Sequence, residues 1–362
     1  MFGAASVGVP PPPPLRTLPF FLALEDRPAI LSFERVSETY AALGKRLHGG
    51  RPLLLGGDVA ASLRSVGVEL PSAGSLGQMV REQGDKVDAH YGVEVAAGVD
   101  VLSTLTSDTT PRVLAQVGMA YRAAAITAMA VDRAASATQR ATRPIAVAGM
   151  LGGGPMSPLG MADLAEDHAV HAARLAAAGC DLVLARGIAT RAELMAAVVA
   201  ASNADLPTWA VVEADADGSV FGEASPVETV RLLEIAGASA VFIQAASVDT
   251  AREVIERVRR TGTPLPLGAL LDAGVGCIEG FPEGGATPEA WADAVLGLMA
   301  LDLRAFGGGH GCTHEHTAAL ARALRRAVPS LDAVRALERI TLWTGRNSVA
   351  TSGWVFSRRT CT

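Results

Sequence analysis

The densest chemistry in the chain lies in residues 306–316, Phe-Gly-Gly-Gly-His-Gly-Cys-Thr-His-Glu-His. His310, Cys312, His314 and His316 fall within seven residues and include three of the chain's seven histidines. Imidazole and thiolate are both good zinc donors. A cysteine close to a histidine is also the pattern of a nucleophile with its base. Two chemistries are therefore open. One is a metal centre drawing on His310 and Cys312, and the other is a catalytic thiolate at Cys312 activated by His310. A thiol at a glycine-rich helix N-terminus has a lowered pKa, which suits the second. Thr313 reads as the cap of the following helix and puts His314 and His316 in its first turn, on different sides. The two then converge poorly on one metal with His310.

These residues need elements to hold them. Along the chain, short apolar runs at 52–55, 99–105, 145–147, 182–185, 208–212, 240–244, 267–271 and 301–306 end in glycine or polar turns. Between them lie longer segments with apolar residues at helical spacing: 75–97, 112–137, 159–178, 191–202, 226–236, 248–260 and 288–299, with a last one at 317–328. Eight strand–helix units in sequence predict parallel pairing and closure into an α/β (β/α)8 TIM barrel. An open doubly wound sheet would instead show a phosphate-binding turn after an early strand. Leu151-Gly-Gly-Gly-Pro155 follows the third run, but Pro155 and the lack of an acidic residue about 20 positions on make it a poor dinucleotide fingerprint.

A barrel carries its reactive groups on the loops after the strands. Those loops supply Thr104, Thr106, Arg186 and Asp272 as candidate substrate-binding residues. Cys277, in the loop after strand seven, lies beside strand eight and is a third candidate metal ligand with His310 and Cys312. Arg186 has two accounts: it anchors a ligand, or it pairs with a loop carboxylate such as Glu213 or Asp272.

Charge and composition narrow the partners. With 31 Lys+Arg against 37 Asp+Glu the net charge is −6, and no basic run tracks a phosphate backbone, so no nucleic acid is expected. Four scattered cysteines without CxxC spacing signal no disulfide framework and point to a reducing, cytoplasmic setting. Residues 18–24 are too short and Pro-flanked for a span, which needs about 20 apolar residues, and no membrane partner is expected. Residues 1–14 end in five prolines and favour extended polyproline conformation. The expected layout is a Pro-rich tail and N-terminal extension at 1–50, the barrel at 51–328 and a C-terminal extension at 329–362. A helix is expected within 34–47, with its role open.

Several segments together resemble the homocysteine S-methyltransferase family. They are HYGVEVAAGVDVLSTLT at 90–106, AVAGMLGGG at 146–154, AAAGCDLVL at 176–184, ADGSVFGEASPV at 216–227 and the turn at 307–316. The resemblance implies a zinc-dependent barrel that moves a methyl group onto the thiol of homocysteine. In such a barrel three cysteine thiolates hold Zn²⁺, and the acceptor sulfur takes the fourth position as a thiolate. This chain departs from that pattern. The family's Gly-Gly-Cys-Cys-Gly turn matches Gly307-Gly308-Gly309-His310-Gly311, and its Asn-Cys after strand six matches Gln244-Ala245. The Asp-Gly of its first loop matches Gly56-Gly57, a substrate-holding Glu falls near Ser62, and a Glu-Thr after strand four matches Arg186-Gly187. All three cysteine ligands are absent, and the pocket has exchanged carboxylates for a guanidinium, which favours an anionic ligand.

The function implied is methyl transfer to a thiol acceptor, homocysteine or a related small metabolite, with the zinc site altered or absent and the methyl donor open. Two other readings stand beside it. One is a catalytically silent barrel that binds a ligand or regulates a partner, as a homo-oligomer or paired with a related barrel. The other is a different reaction on a small anionic metabolite anchored by Arg186.

Overall fold

The computed structural model describes residues 37–49, 51–152, 160–222, 224–274 and 287–327. Eight parallel strands form one sheet: β1 (Leu53–Leu54), β2 (Val101–Ser103), β3 (Ala146–Gly152), β4 (Leu182–Arg186), β5 (Thr208–Ala214), β6 (Ala240–Ala245), β7 (Leu267–Leu271) and β8 (Ala305–Gly308). Their order is β1-β8-β7-β6-β5-β4-β3-β2. A Leu55–Val101 bridge joins the two ends of that order. Beside it the Asp100 N–H donates to Leu54 O at 2.7 Å, and the Leu54 N–H to the Asp100 carboxylate at 2.9 Å. The sheet therefore closes into the (β/α)8 barrel that the strand–helix rhythm predicts.

Both faces of the strands are covered, which is why they read as continuous apolar runs. Successive side chains point to opposite faces. Leu53, Leu55, Leu182, Leu184, Trp209 and Phe242 fill the barrel interior, while Leu54, Val183, Ala185, Ala210 and Val241 pack outward against the helices. The helix Glu38–Leu47 belongs to the same interior layer, because Leu43 and Leu47 are buried in it and Trp209 Nε1 donates to the Tyr40 hydroxyl at 3.2 Å. Arg46, in its last turn, grips both Asp100 oxygens at 2.8 and 2.9 Å. The segment whose role the sequence left open thus plugs the barrel at the N-terminal ends of the strands.

Several expected boundaries are corrected. The helix expected at 75–97 is two helices, Ser75–Glu82 and Gly84–Ala97, broken where Gln83 turns to φ −132°. The segment at 112–137 is Pro111–Ala115, a 3₁₀ turn and Ala123–Thr138, with Gly118 at φ +70° between the first two. Strand eight begins at Ala305 rather than 301, because Met299–Leu301 is a 3₁₀ turn closed by left-handed Asp302. A short helix, Val59–Ser65, capped by Asp58, follows β1 and had no periodic signal. The last helix runs over residues 314–327. Among the described residues no helix is long and apolar enough to cross a membrane. The proline run at 10–14, the whole C-terminal extension at 329–362, Cys277 and Cys361 lie outside the described residues.

Candidate functional site

The C-terminal ends of the strands bring five polar side chains to one rim: Arg186 from β4, Glu213 from β5, Gln244 from β6, Asp272 just after β7 and His310 just after β8. Arg186 is the longest and reaches furthest. Its Nε–H donates to Gln244 Oε1 at 3.2 Å, Nη2 to Gly308 O at 3.1 Å and Nη1 to Gly57 O at 3.5 Å. One guanidinium thus spans from β4 to β8 and the loop after β1, on the far side of the barrel. All three acceptors are neutral. Of the two accounts of Arg186, the salt bridge to Glu213 or Asp272 does not form; those carboxylates feel Arg186 only through space.

Asp272 is the second hub. Its Oδ1 accepts the His310 backbone N–H at 2.7 Å and Gln244 Nε2 at 3.1 Å. Burial still raises its pKa above the ordinary aspartate value, against the pull of these donors and of Arg186. The His310 ring stands out from the rim, with Nε2 3.6 Å from Glu213 Oε1. Glu213 raises the His310 pKa, and His310 in turn holds the Glu213 carboxyl below its usual range. Asp58 locks the turn from the other side: its carboxylate accepts the Gly311 N–H at 3.3 Å and its own N–H donates to Cys312 O at 2.8 Å.

Other expected site residues have a different place. Cys312 is fully buried beneath the turn, and its thiol donates to Leu271 O at 3.2 Å. Burial pushes that thiol up, the opposite of an activated nucleophile. Thr104 and Thr106 are buried too; their hydroxyls bond each other at 2.9 Å and the Ala148 and Met150 carbonyls of β3 at 3.0 Å. They stitch β2 to β3 below the rim rather than lining it. Thr313 does cap the last helix. His316 completes the cap, accepting the Thr313 N–H on Nδ1 at 3.2 Å, with its ring edge-on to Trp291. The helix thus uses a histidine where a capping box has Glu or Gln. Gln244 was legible as the last residue of an apolar run and as the match to an Asn in the resemblance; nothing in the sequence announced it as the link between Arg186 and Asp272.

The model of the homocysteine S-methyltransferase family matches residues 55–324. The chain belongs to this family. No curated protein matches its sequence significantly. Among solved structures, the metallated homocysteine methyltransferase MmuM from Escherichia coli is 19% identical with a TM-score of 0.65, covering 79% of this chain and 100% of that one. Its oxidized form gives 18% and 0.68 over the same shares, and its apo form 18% and 0.60 over 76% and 97%. At these identities the likeness is one of fold.

The rim of this homocysteine S-methyltransferase relative does not fit the zinc that the family resemblance implies. Gly309, which the resemblance matches to one family cysteine, has no room for a side chain, since a Cβ there would run into Asp272 Oδ1. Ala245, at another, is a buried apolar residue. The His310 ring is engaged by Glu213, and the Cys312 thiol faces a backbone carbonyl. Among the described residues no three His, Cys, Asp or Glu side chains are grouped to hold a metal. A guanidinium already stands in their midst, bonded to Gln244 and Gly308. The expected set of His310, Cys312 and Cys277 is thus not assembled by the two members described.

Proposed function

We propose that this chain transfers a methyl group to a small thiol acceptor, homocysteine or a related metabolite, bound at the barrel mouth without a thiolate-held zinc. Family membership supports the reaction class. The observation that carries the metal-free form is the His310–Glu213 pair at 3.6 Å, on the turn that the resemblance matches to the family's paired thiolates. A metal keeps the acceptor sulfur deprotonated through its charge; an imidazole does so by taking the proton. With Nε2–H directed to Glu213, Nδ1 is the nitrogen left to accept it. The acceptor S–H proton passes to His310, and a sulfur lone pair forms the new S–CH₃ bond. The bond between the methyl carbon and its donor atom breaks, and the donor leaves with the electron pair. Glu213 steadies the imidazolium that results, much as the carboxylate of a catalytic triad does.

The test is transfer from methylsulfonium donors to homocysteine and other small thiols, using tag-free protein in excess chelator. The expected result is turnover that survives the chelator and falls about 100-fold or more in His310→Ala. Turnover only after zinc is added refutes the metal-free form. No turnover under any condition supports the second reading, a silent barrel that binds a ligand or a partner, which is favoured by the Arg186 side chain bracing the mouth between opposite strands.

A further inference from the structure

Arg186 is an unusual arginine. Its guanidinium is only partly exposed, and within the described residues it has no carboxylate at ion-pair distance, only two backbone carbonyls and one amide oxygen. A guanidinium carries five N–H donors, and the three bonds use three of them. Removing a charge from water without a counter-ion is costly. The neutral acceptors orient the fork but leave its charge uncancelled. Its surroundings allow a ligand to approach, because His310 beside it is exposed and Glu213 and Asp272 are only partly buried.

We infer that Arg186 makes the barrel mouth a metal-free receptor for a small anion, the thiolate or the carboxylate of the acceptor, with the guanidinium standing among the positions that lost their zinc ligands. This deepens the proposed function: it rests on the same mouth as the acceptor site but does not require that a methyl group move. The three acceptors fix the plane of the guanidinium from β6, β8 and the loop after β1, so the fork is pre-organised before the ligand arrives. Asp272 and Glu213 are kept from pairing with it by other donors. Gln244 and the His310 N–H occupy Asp272, and the His310 ring occupies Glu213. The site thus holds two carboxylates near a guanidinium without letting either neutralise it directly.

The experiment is calorimetric titration of the full chain, with chelator and no methyl donor, using three probes: 3-mercaptopropionate, propionate and 2-mercaptoethanol. A charge-assisted bond of this kind corresponds to roughly 10–100-fold in affinity. Wild type is expected to bind 3-mercaptopropionate, with Arg186→Gln weaker by that factor. Arg186→Lys, which keeps the charge but loses the fork, is expected to fall between them and serves as the test variant if Arg186→Gln does not fold. Binding shared by 2-mercaptoethanol, with thiolate absorbance appearing on binding, identifies the anion as the thiolate. Binding shared by propionate identifies the carboxylate. Equal affinity in wild type and both variants, or no binding of any probe by wild type, overturns the inference. Absence of methyl transfer alongside Arg186-dependent binding would refute the proposed reaction and leave the receptor standing.

Discussion

The two ends of the barrel use arginine in opposite ways. At the plugged end, Arg46 and Arg143 converge on Asp100, whose carboxylate also accepts the Leu54 N–H. Each guanidinium here has a carboxylate at ion-pair distance, and the cluster ties the helix Glu38–Leu47, β1 and the start of β2 together. At the open end Arg186 meets only neutral oxygens. Glu94 is the third case, a buried carboxylate that among the described residues has no cation beside it and has one oxygen without a hydrogen-bond partner. The difference teaches what happens to a charge that the fold leaves uncompensated. Where solvent cannot reach it, as at Glu94, burial raises the pKa to about 7 and a proton supplies the compensation. Where the group opens to solvent and cannot lose its proton, as at Arg186, compensation has to come from outside.

That contrast can be broken by experiment. The largest effect is expected for Asp100→Ala, which leaves Arg46 and Arg143 facing each other and the Leu54 N–H unpaired; chemical denaturation should show a loss of about 3 kcal/mol. A loss near zero would mean that the cluster is a surface ornament and the comparison false. Next comes Glu94→Gln. Glu94 has its folded pKa raised above the ordinary 4.5 to about 7, so the folded state keeps the proton longer and stability falls as pH rises through that window. Removing the carboxyl should therefore stabilise the protein by roughly 2 kcal/mol near pH 8 and leave it unchanged near pH 4. Equal effects at both ends of the window would argue against a buried proton.

Cys312→Ser is expected to cost about 1–2 kcal/mol through the poorer fit of a hydroxyl beneath the turn. Its effect on chemistry should be slight, whereas a catalytic or metal-binding thiol would lose activity by orders of magnitude; the ratio of the two readouts decides. Smaller still is the stability effect of Arg186→Gln, within about 1 kcal/mol and in either direction, since no ion pair is lost. A collapse in that variant would make Arg186 a structural brace instead. Smallest is a spectroscopic shift: Glu213 holds the His310 pKa above 6.5, so Glu213→Gln should move its NMR titration midpoint down. The pair's contribution is present between the titration of the Glu213 carboxyl and that of His310, and is lost as pH rises through the His310 midpoint or falls through that of Glu213.

The barrel was legible because its strands are buried on both faces and each is followed by a periodic segment, as with Leu182–Arg186 and Arg191–Asn203. Boundaries failed where apolar composition did not imply extended backbone, as at Met299–Leu301. In the site, the sequence drew attention to His310 and Arg186, which stand at the rim, and to Cys312, which lies buried beneath the turn. Density of ligand-type residues is visible in a sequence; depth is not, and one turn separates an exposed imidazole from a thiol sealed under it. The acceptors that orient Arg186 were beyond sequence reading, because two of them are glycine carbonyls, which carry no side-chain signature.

The closure of the barrel also sets an order of opening. β5 and β6 pair from Trp209↔Ala240 to Ala214↔Ala245, whereas β1 pairs with β8 at Leu53↔Ala305 and Leu54↔Phe306, with bonds running on to Gly56 and Asp58, and reaches β2 through the Leu55–Val101 bridge and the Asp100 N–H on Leu54 O. The ring is therefore a long zip with a short clasp. Amide hydrogens of the clasp should exchange first, and the strand that leaves first carries Gly57 with it, so a ligand held by Arg186 would fasten the clasp that the backbone leaves short.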